Sequence, residues 1–123
     1  MENATIVAVC NQKGGVGKTT TTENFAFALA EHGKRVLMVD FDAQASLTQT
    51  QGVEQPDNLK ATIYNLMMDA VEEQSPQTDP VLHTSNPRVD LLPSNIDLAA
   101  LETVLVTAMS REHMLRAALA PYR

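Results

Sequence analysis

Apolar residues along the chain fall into short runs and helical stripes that predict alternating strands and helices. The run Ala4 to Cys10 is continuous, apolar and β-rich, which is typical of a strand buried on both faces of a parallel sheet. Arg35 to Asp40 has the same character and predicts a second buried strand. Val89 to Leu92 predicts a third strand, and Val81 to Thr84 is a weaker candidate. These runs predict a mostly parallel sheet.

Helical periodicity fills the segments between these runs. The segment Thr19 to His32 has one helical stripe, formed by Phe25, Ala28, Leu29 and His32. Gly33 follows at the place where a helix C-terminus favours a residue in the left-handed conformation. Further helices are predicted at Thr62 to Val71, at Ile96 to Thr107 and at Arg111 to Ala120, the last with Ser110 as its N-cap.

The order of these elements indicates one α/β domain. Strand, glycine-rich loop, helix and strand follow one another from Ala4 to Asp40, and this succession is a βαβ unit. A length of 123 residues leaves room for one domain of ordinary size. We expect a three-layer αβα arrangement, with an exposed loop at Glu72 to Pro80 and, at Gln44 to Gln55, a loop that contains a short helical piece.

The amino-acid composition indicates what kind of core, cellular compartment and binding partner to expect. Hydrophobic residues make up 44% of the chain and aromatic residues 4%, so we expect an aliphatic core. The net charge of -6 argues against a domain that wraps nucleic acid by bulk charge. Arg111, Arg116 and Arg123 are interpreted as charges on solvated helix faces, and the lone Cys10 as a small buried residue. No basic leader and no apolar run of membrane length is present, so we expect a cytoplasmic protein.

A glycine-rich segment joins the first predicted strand to the first predicted helix and has the pattern of a phosphate-binding loop. Its residues are Asn11, Gln12, Lys13, Gly14, Gly15, Val16, Gly17, Lys18, Thr19 and Thr20. The glycines let successive main-chain N–H groups turn inward, and together with the helix N-terminus these groups form a nest for phosphate oxygens. Lys18 can reach the terminal phosphates, and the Thr19 hydroxyl is placed to bind Mg²⁺. The sequence therefore predicts a nucleotide-phosphate site from Gln12 to Thr20.

Two carboxylates form a second candidate feature at the end of the second predicted strand. Asp40 and Asp42 are two residues apart, so an extended backbone points both side chains the same way. Ligands bind at the carboxyl edge of parallel sheets, where this strand ends. One carboxylate can hold a water bound to Mg²⁺, and the other can orient an attacking water. The alternative is a pair of aspartates that cap a turn.

The details of both segments carry a resemblance to a known family. The general pattern G-x-x-x-x-G-K-[ST] requires glycine where this chain has Gln12, and a second lysine, Lys13, precedes the two glycines. The run Lys-Gly-Gly-Val-Gly-Lys-Thr-Thr resembles the deviant Walker A motif of the family that includes the ParA and MinD ATPases, the nitrogenase iron protein and the arsenite-pump ATPases. Asp40 to Thr48 is similar to the ParA form Asp-x-Asp-Pro-Gln-x-x-x-Thr, with Ala43 in place of the proline.

The resemblance implies a P-loop NTPase fold, ATP and Mg²⁺ as cofactors, and a role for individual residues. Lys13 is implied to reach phosphates across an ATP-dependent homodimer, and Lys18 to contact them within one chain. Asp42 matches the water-orienting aspartate, so the implied catalytic residues are Lys13, Lys18 and Asp42. Thr19 and Asp40 are implied to belong to the metal shell. The resemblance continues along the chain at Val89 to Ala99, Glu102, Arg111, Glu112, Leu115, Ala118 and Leu119.

One part of a complete P-loop ATPase has no counterpart in the sequence. Such an enzyme needs a Walker B strand, an apolar run that ends in aspartate, and no such run follows Pro93. We therefore expect residues 1–123 to be the N-terminal part of a single ParA-like domain. Members of the family continue into that strand and into segments that hold the adenine and contact DNA.

Three functions remain open at this point. The first is a ParA-type ATPase of plasmid or chromosome partitioning, which binds DNA non-specifically as an ATP-dependent dimer and is stimulated by a ParB-like protein. The second is a MinD-like division ATPase that cycles on membranes, against which the run Asp42-Ala43-Gln44 argues and for which a basic amphipathic end would argue. The third is a non-catalytic nucleotide-binding or interaction module.

Overall fold

The computed structural model describes residues 4–9, 17–101 and 111–122, which contain both helices and strands. The helices are α1 Lys18–Glu31, α2 Ser46–Thr50, α3 Ile63–Val71, α4, which begins at residue 97 and is described as far as 101, and α5 Arg111–Leu119. The strands are β1 Val36–Val39, β2 Leu82–His83 and β3 Val89–Leu92. Single 3-10 turns occur at Pro56–Asn58 and Ala120–Tyr122. No helix within these ranges is long and apolar enough to cross a membrane.

The described strands form one sheet in the order β1-β3-β2. β1 and β3 are parallel, with Val36 opposite Val89 and Val39 opposite Leu92. β2 pairs with β3 in the antiparallel direction and forms an edge of the sheet. Because β1 and β3 are parallel and in register, their carboxyl ends lie at the same edge. That edge is where the predicted functional aspartates follow β1.

Helices cover both faces of this sheet, and the alternation of side chains along the strands decides which face each residue joins. Met38 and Leu91 belong to a core cluster with Ala26 and Ala30 of α1. Their neighbour Leu92 points to the opposite cluster, which is built from α3, α4 and α5: its fully buried members include Ile63, Leu66, Met67, Leu98 and Leu101. The predicted α/β class with three αβα layers is therefore confirmed.

Several local predictions are confirmed by the backbone. Gly33 has φ 82 and follows the C-cap of α1, so a residue in the left-handed conformation ends this helix as predicted. Thr62 caps α3: its hydroxyl accepts from the Tyr64 amide at 3.2 Å, while its own amide donates to Asn65 Oδ1 at 2.8 Å. The predicted helix that starts near Ile96 is present to residue 101, and Ser110 and the residues after Leu101 up to it lie outside the described residues.

The strand predicted at Ala4 to Cys10 is not formed. Residues 4–9 have no strand conformation and are exposed, with Ile6 and Val7 each 60% accessible, and Cys10 lies outside the described residues. A strand exists only where a neighbour satisfies its backbone N–H and C=O groups, and within the described residues the three strands pair only with one another. An apolar run therefore indicates that a segment favours burial. It does not show whether the fold contains a strand with which that segment can pair.

The stripe of α1 that faces the sheet also differs from the predicted one. Phe25 is 47% accessible and Ala28 is exposed, whereas Ala26 and Ala30 are buried against the sheet and Phe27 packs on the same cluster. Helical spacing identifies residues that share a face but does not say which of two neighbouring apolar stripes meets the sheet. Here the helix buries its small side chains, which allow its backbone to come close to β1 and β3.

The core cluster between the sheet and α3, α4 and α5 provides a test of the packing. Leu92 is fully buried in it, whereas Ile96, four residues later, is 57% accessible. We expect Leu92→Ala to lower the free energy of unfolding by about 3 kcal/mol, because it removes buried methyl groups and leaves a cavity. Ile96→Ala should change it by less than about 0.5 kcal/mol. Urea unfolding followed by circular dichroism measures both, and equal effects would contradict the described packing.

Candidate functional site

The N-terminus of α1 forms one side of the candidate site. Gly17 precedes the helix with φ 88 and ψ 15, a left-handed conformation that glycine adopts without steric cost. A Cβ at this position would meet no atom of the described residues within 4 Å, and the left-handed backbone angle by itself favours glycine. The first helical hydrogen bond runs from the Thr21 amide to the Gly17 carbonyl at 2.9 Å. The amides of Lys18, Thr19 and Thr20 precede that bond and point out of the helix end, where the helix dipole favours an anion.

The turn after β1 forms the other side of the site. Asp42 is exposed, and its carboxylate accepts from the Gln44 amide at 2.9 Å while its carbonyl accepts from the Ala45 amide at 2.9 Å. Ala45 itself has φ 56, a left-handed conformation that is uncommon for a residue with a side chain. The chain thus reverses tightly between β1 and α2, and the reversal leaves the Asp42 side chain at the surface.

A cavity of about 420 Å³ lies between these two sides. Its wall is made by Gly17, Lys18, Thr19, Thr20, Asp42, Gln44 and Ser46. The predicted phosphate contact Lys18, the predicted metal ligand Thr19 and the predicted water-orienting Asp42 are therefore brought together around one space. An ammonium group, exposed helix amides and hydroxyls on one side and a carboxylate on the other can bind a polyanion and orient a polar reactant beside it.

Asp40 lies in a different environment from Asp42. It is 4% accessible, and its Oδ2 accepts from the Thr48 amide at 3.0 Å and from Thr48 Oγ1 at 2.6 Å. Its Oδ1 accepts from the Asp42 amide at 3.3 Å. Burial raises the pKa of Asp40 above its ordinary value, although the hydrogen bonds from Thr48 and Asp42 act in the opposite direction. Asp40 does not belong to the wall of the cavity, and its role in the metal shell stays a prediction.

The two carboxylates do not share an orientation as the strand alternation predicts. β1 ends at Val39, so Asp40 and Asp42 lie in the turn after the strand, where the alternation of side chains no longer holds. One of the pair is consequently buried and the other is exposed. Gln12, Lys13, Gly14, Gly15 and Val16, the remaining predicted residues of the phosphate loop, lie outside the described residues.

The structure also places polar residues at the site to which the sequence assigned no role. Gln44 and Ser46 belong to the cavity wall, and Ser94 donates from its hydroxyl to the Asp42 carbonyl at 2.8 Å. Ser94 is the second residue after β3, at the same edge of the sheet as Asp40. Its position was an available signal, because a polar residue that closely follows a buried strand lies at the ligand-binding edge of a parallel sheet.

Comparison with known proteins places this site in a family. The model of a family described as an AAA domain matches residues 4–123. The chain belongs to this family, the ParA/MinD type of AAA domain. The sporulation initiation inhibitor protein Soj of Bacillus subtilis is 41% identical over 93% of this chain and 43% of its own length. The chromosome partitioning protein ParA of Caulobacter vibrioides is 36% identical over 96% of this chain and 42% of its own length.

The fold has a close match among solved structures. The structure of cobyrinic acid a,c-diamide synthase from Mycobacterium smegmatis, with a bound ATP analogue and magnesium, superposes with a TM-score of 0.78 at 39% identity. The match covers 92% of this chain and 44% of that protein. The predicted P-loop NTPase fold is therefore confirmed. In each of these comparisons the chain spans less than half the length of the relative that it matches.

The buried position of Asp40 makes the stability of the protein depend on pH in a defined direction. Because its pKa is raised in the folded state, the folded protein binds the proton more tightly, and the free energy of unfolding should fall as the pH rises from about 4. Thr48→Val removes a donor to the charged form and raises this pKa further. We expect it to destabilise the fold by about 2 kcal/mol at pH ~7, and by less at pH ~4 where Asp40 binds its proton.

Urea unfolding at the two pH values measures this difference. Thr48→Ser is the matched control, because it keeps the hydroxyl that donates to Asp40 and should show little dependence of its effect on pH. An equal loss at both pH values for Thr48→Val would contradict the assignment of the bond to the charged carboxylate.

Proposed function

We propose that this chain is the nucleotide-binding part of an ATP-driven switch protein of the ParA type, which acts in plasmid or chromosome partitioning. The observation that supports the proposal most strongly is the single cavity that joins the N-terminus of α1, with Lys18 and Thr19, to Asp42. The Lys18 ammonium group and the helix amides on one side suit the phosphates of a nucleotide, and the carboxylate opposite suits a water molecule beside the last phosphate.

The residues around the cavity fit ATP and Mg²⁺. The amides at the start of α1 and the Lys18 ammonium group supply donors and positive charge for phosphate oxygens. The hydroxyl of Thr19 is a hard oxygen donor of the kind that Mg²⁺ prefers. When bound, ATP supplies the phosphoanhydride bond and Mg²⁺ neutralises charge on its phosphates. Asp42 is exposed to the cavity and would orient the attacking water through its carboxylate.

The partition role rests on the relatives. Soj and the Caulobacter ParA carry names that refer to sporulation control and chromosome partitioning, while the solved structure that matches the fold carries the name of an amide-forming synthase. A phosphate-binding site is compatible with each of these functions and so does not distinguish between them. The Asp40 to Thr48 run, which resembles the ParA form except at Ala43, favours the ParA type over the MinD-like alternative.

The same proposal includes partners. By the family resemblance Lys13 would contact nucleotide phosphates across an ATP-dependent homodimer, so the switch would be the closing of that dimer. A ParB-like protein would stimulate hydrolysis, and DNA would bind non-specifically through segments beyond this chain. In this role the protein would act in the cytoplasm at the nucleoid.

Nucleotide binding is the first test of the proposal. We expect the chain to bind ATP in the presence of Mg²⁺ and Lys18→Ala to weaken that binding by about 100-fold, because a charge-assisted contact to phosphate is worth about 3 kcal/mol. Lys34→Ala is the matched control: it also removes an exposed lysine charge but does not touch the cavity, and should bind within about 2-fold of the unchanged protein. Isothermal titration calorimetry measures the three affinities, and equal binding by all three would overturn the assignment.

A measurement of ATP hydrolysis distinguishes the proposed ATPase from a non-catalytic nucleotide-binding module. Asp42→Asn should keep ATP binding and lower the turnover number by about 100-fold, because the amide is a much weaker partner for the attacking water. Asp79→Asn, which changes an exposed aspartate outside the cavity wall, should keep the turnover number. Phosphate release at saturating ATP measures both. Binding of ATP without any turnover in the unchanged protein would favour a nucleotide-binding interaction module instead.

A further inference from the structure

Two buried hydroxyl groups connect the loop that carries Asp42 to the end of the sheet. Thr48 in α2 and Ser94 after β3 both have 0% accessibility. Thr48 Oγ1 donates to Asp40 Oδ2 at 2.6 Å and accepts from the Ser94 amide at 3.0 Å. Ser94 Oγ donates in turn to the Asp42 carbonyl at 2.8 Å. A closed path of hydrogen bonds thus runs from the end of β1 through α2 and the end of β3 back to Asp42.

The helix that carries Thr48 is itself fixed to the other side of the cavity. Glu23 of α1 accepts from Thr50 Oγ1 at 2.9 Å and from Gln51 Nε2 at 2.8 Å. Because both of its oxygens bind the C-terminal end of α2, the short helix is held against α1 as well as against the strands. Thr48 is therefore anchored between the two sides that form the cavity wall.

The loop from Phe41 to Ser46 is packed at its two alanines but not at the residues beside them. Ala45 is 2% accessible and Ala43 packs on the cluster of α3, α4 and α5, whereas Phe41 is 45% accessible and Asp42 and Gln44 are exposed. Apolar contacts of the Asp42 side chain itself therefore do not fix its position. Ala45 adopts a left-handed backbone that costs free energy for a residue with a Cβ. A conformation of this kind persists only where surrounding contacts determine it. Ser94 bonds the Asp42 carbonyl from the buried side, and Thr48 bonds Asp40, whose Oδ1 accepts from the Asp42 amide.

We propose that Thr48 and Ser94 are positioning residues for Asp42. They do not belong to the cavity wall, and they hold the loop in the conformation that keeps the Asp42 carboxylate in that wall opposite Lys18. Their catalytic consequence rests on the proposed ATPase function, whereas their effect on the loop does not. The phosphate contacts at α1 are independent of them, so loss of the two hydroxyls should affect turnover and leave nucleotide affinity nearly unchanged.

The test compares three substitutions by two measurements. Hydrogen exchange reports the amides of Asp42, Gln44 and Ala45, which are bonded inside the loop, and steady-state kinetics separates the turnover number from ATP affinity. We expect Thr48→Val to speed exchange of these amides by at least about 10-fold and to lower the turnover number about 10- to 100-fold, with ATP affinity within about 3-fold. Ser94→Ala keeps the bond between Thr48 and Asp40, so it should show the same changes to a smaller extent. This variant provides the test if Thr48→Val fails to fold.

The controls separate positioning from general stability. Thr48→Ser keeps the hydroxyl and should restore both readouts. Thr84→Val removes a structural hydroxyl that bonds the Asn86 and Val89 carbonyls far from the cavity wall, so it should lower stability without changing loop exchange or turnover. Unchanged loop exchange in both Thr48→Val and Ser94→Ala, or an equal change in Thr84→Val, would overturn the proposal. Absence of turnover in the unchanged protein would count against the ATPase function alone, because loop exchange still decides the positioning role.

Discussion

The hydrogen bonds between the buried carboxylate of Asp40 and Thr48 are the interaction on which the rest of the site depends. Burying a carboxylate is costly unless donors surround it, and here the amide and hydroxyl of Thr48 and the amide of Asp42 surround it. These donors come from the turn after β1 and from α2, so satisfying one charge forces both segments to take up one arrangement. The cavity wall at Asp42 is a consequence of that arrangement.

Elements whose signals are local could be predicted from the sequence. Gly33 ends α1 because its backbone angle requires no partner elsewhere in the chain. The helix α3 was predicted to within one residue from the apolar spacing of Ile63, Leu66 and Met67. The strands β1 and β3 were predictable for a related reason, since both are short apolar runs closed by polar residues or proline. For the candidate site, Gly17, Lys18, Thr19 and Thr20 were predicted from the glycine-rich motif and its place between strand and helix, and the role of Asp42 from the family resemblance. The structure gathers these residues around one cavity.

Features that depend on partners distant in sequence could not be predicted. Residues 4–9 have the composition of a buried strand, but pairing is a property of two segments and composition describes only one. The buried stripe of α1 was missed because two apolar stripes lie side by side, and only contact with Met38 and Leu91 distinguishes them. The position of Ser94 after β3 was a local signal, but its hydrogen bond could not be predicted because the partner, the Asp42 carbonyl, lies 52 residues earlier.

The contrast between Asp40 and Asp42 shows how one residue type takes two roles within three positions. Both carboxylates follow the same strand, and both were predicted to face a ligand. Burial raises the pKa of Asp40 and commits its oxygens to Thr48 and the Asp42 amide, whereas Asp42 bonds the nearby Gln44 amide and remains at the surface. The Asp40 carboxylate is engaged by the fold, and through its bond with the Asp42 amide it helps to determine where its neighbour lies. The exposure of Asp42 and the burial of Asp40 are therefore two parts of one turn.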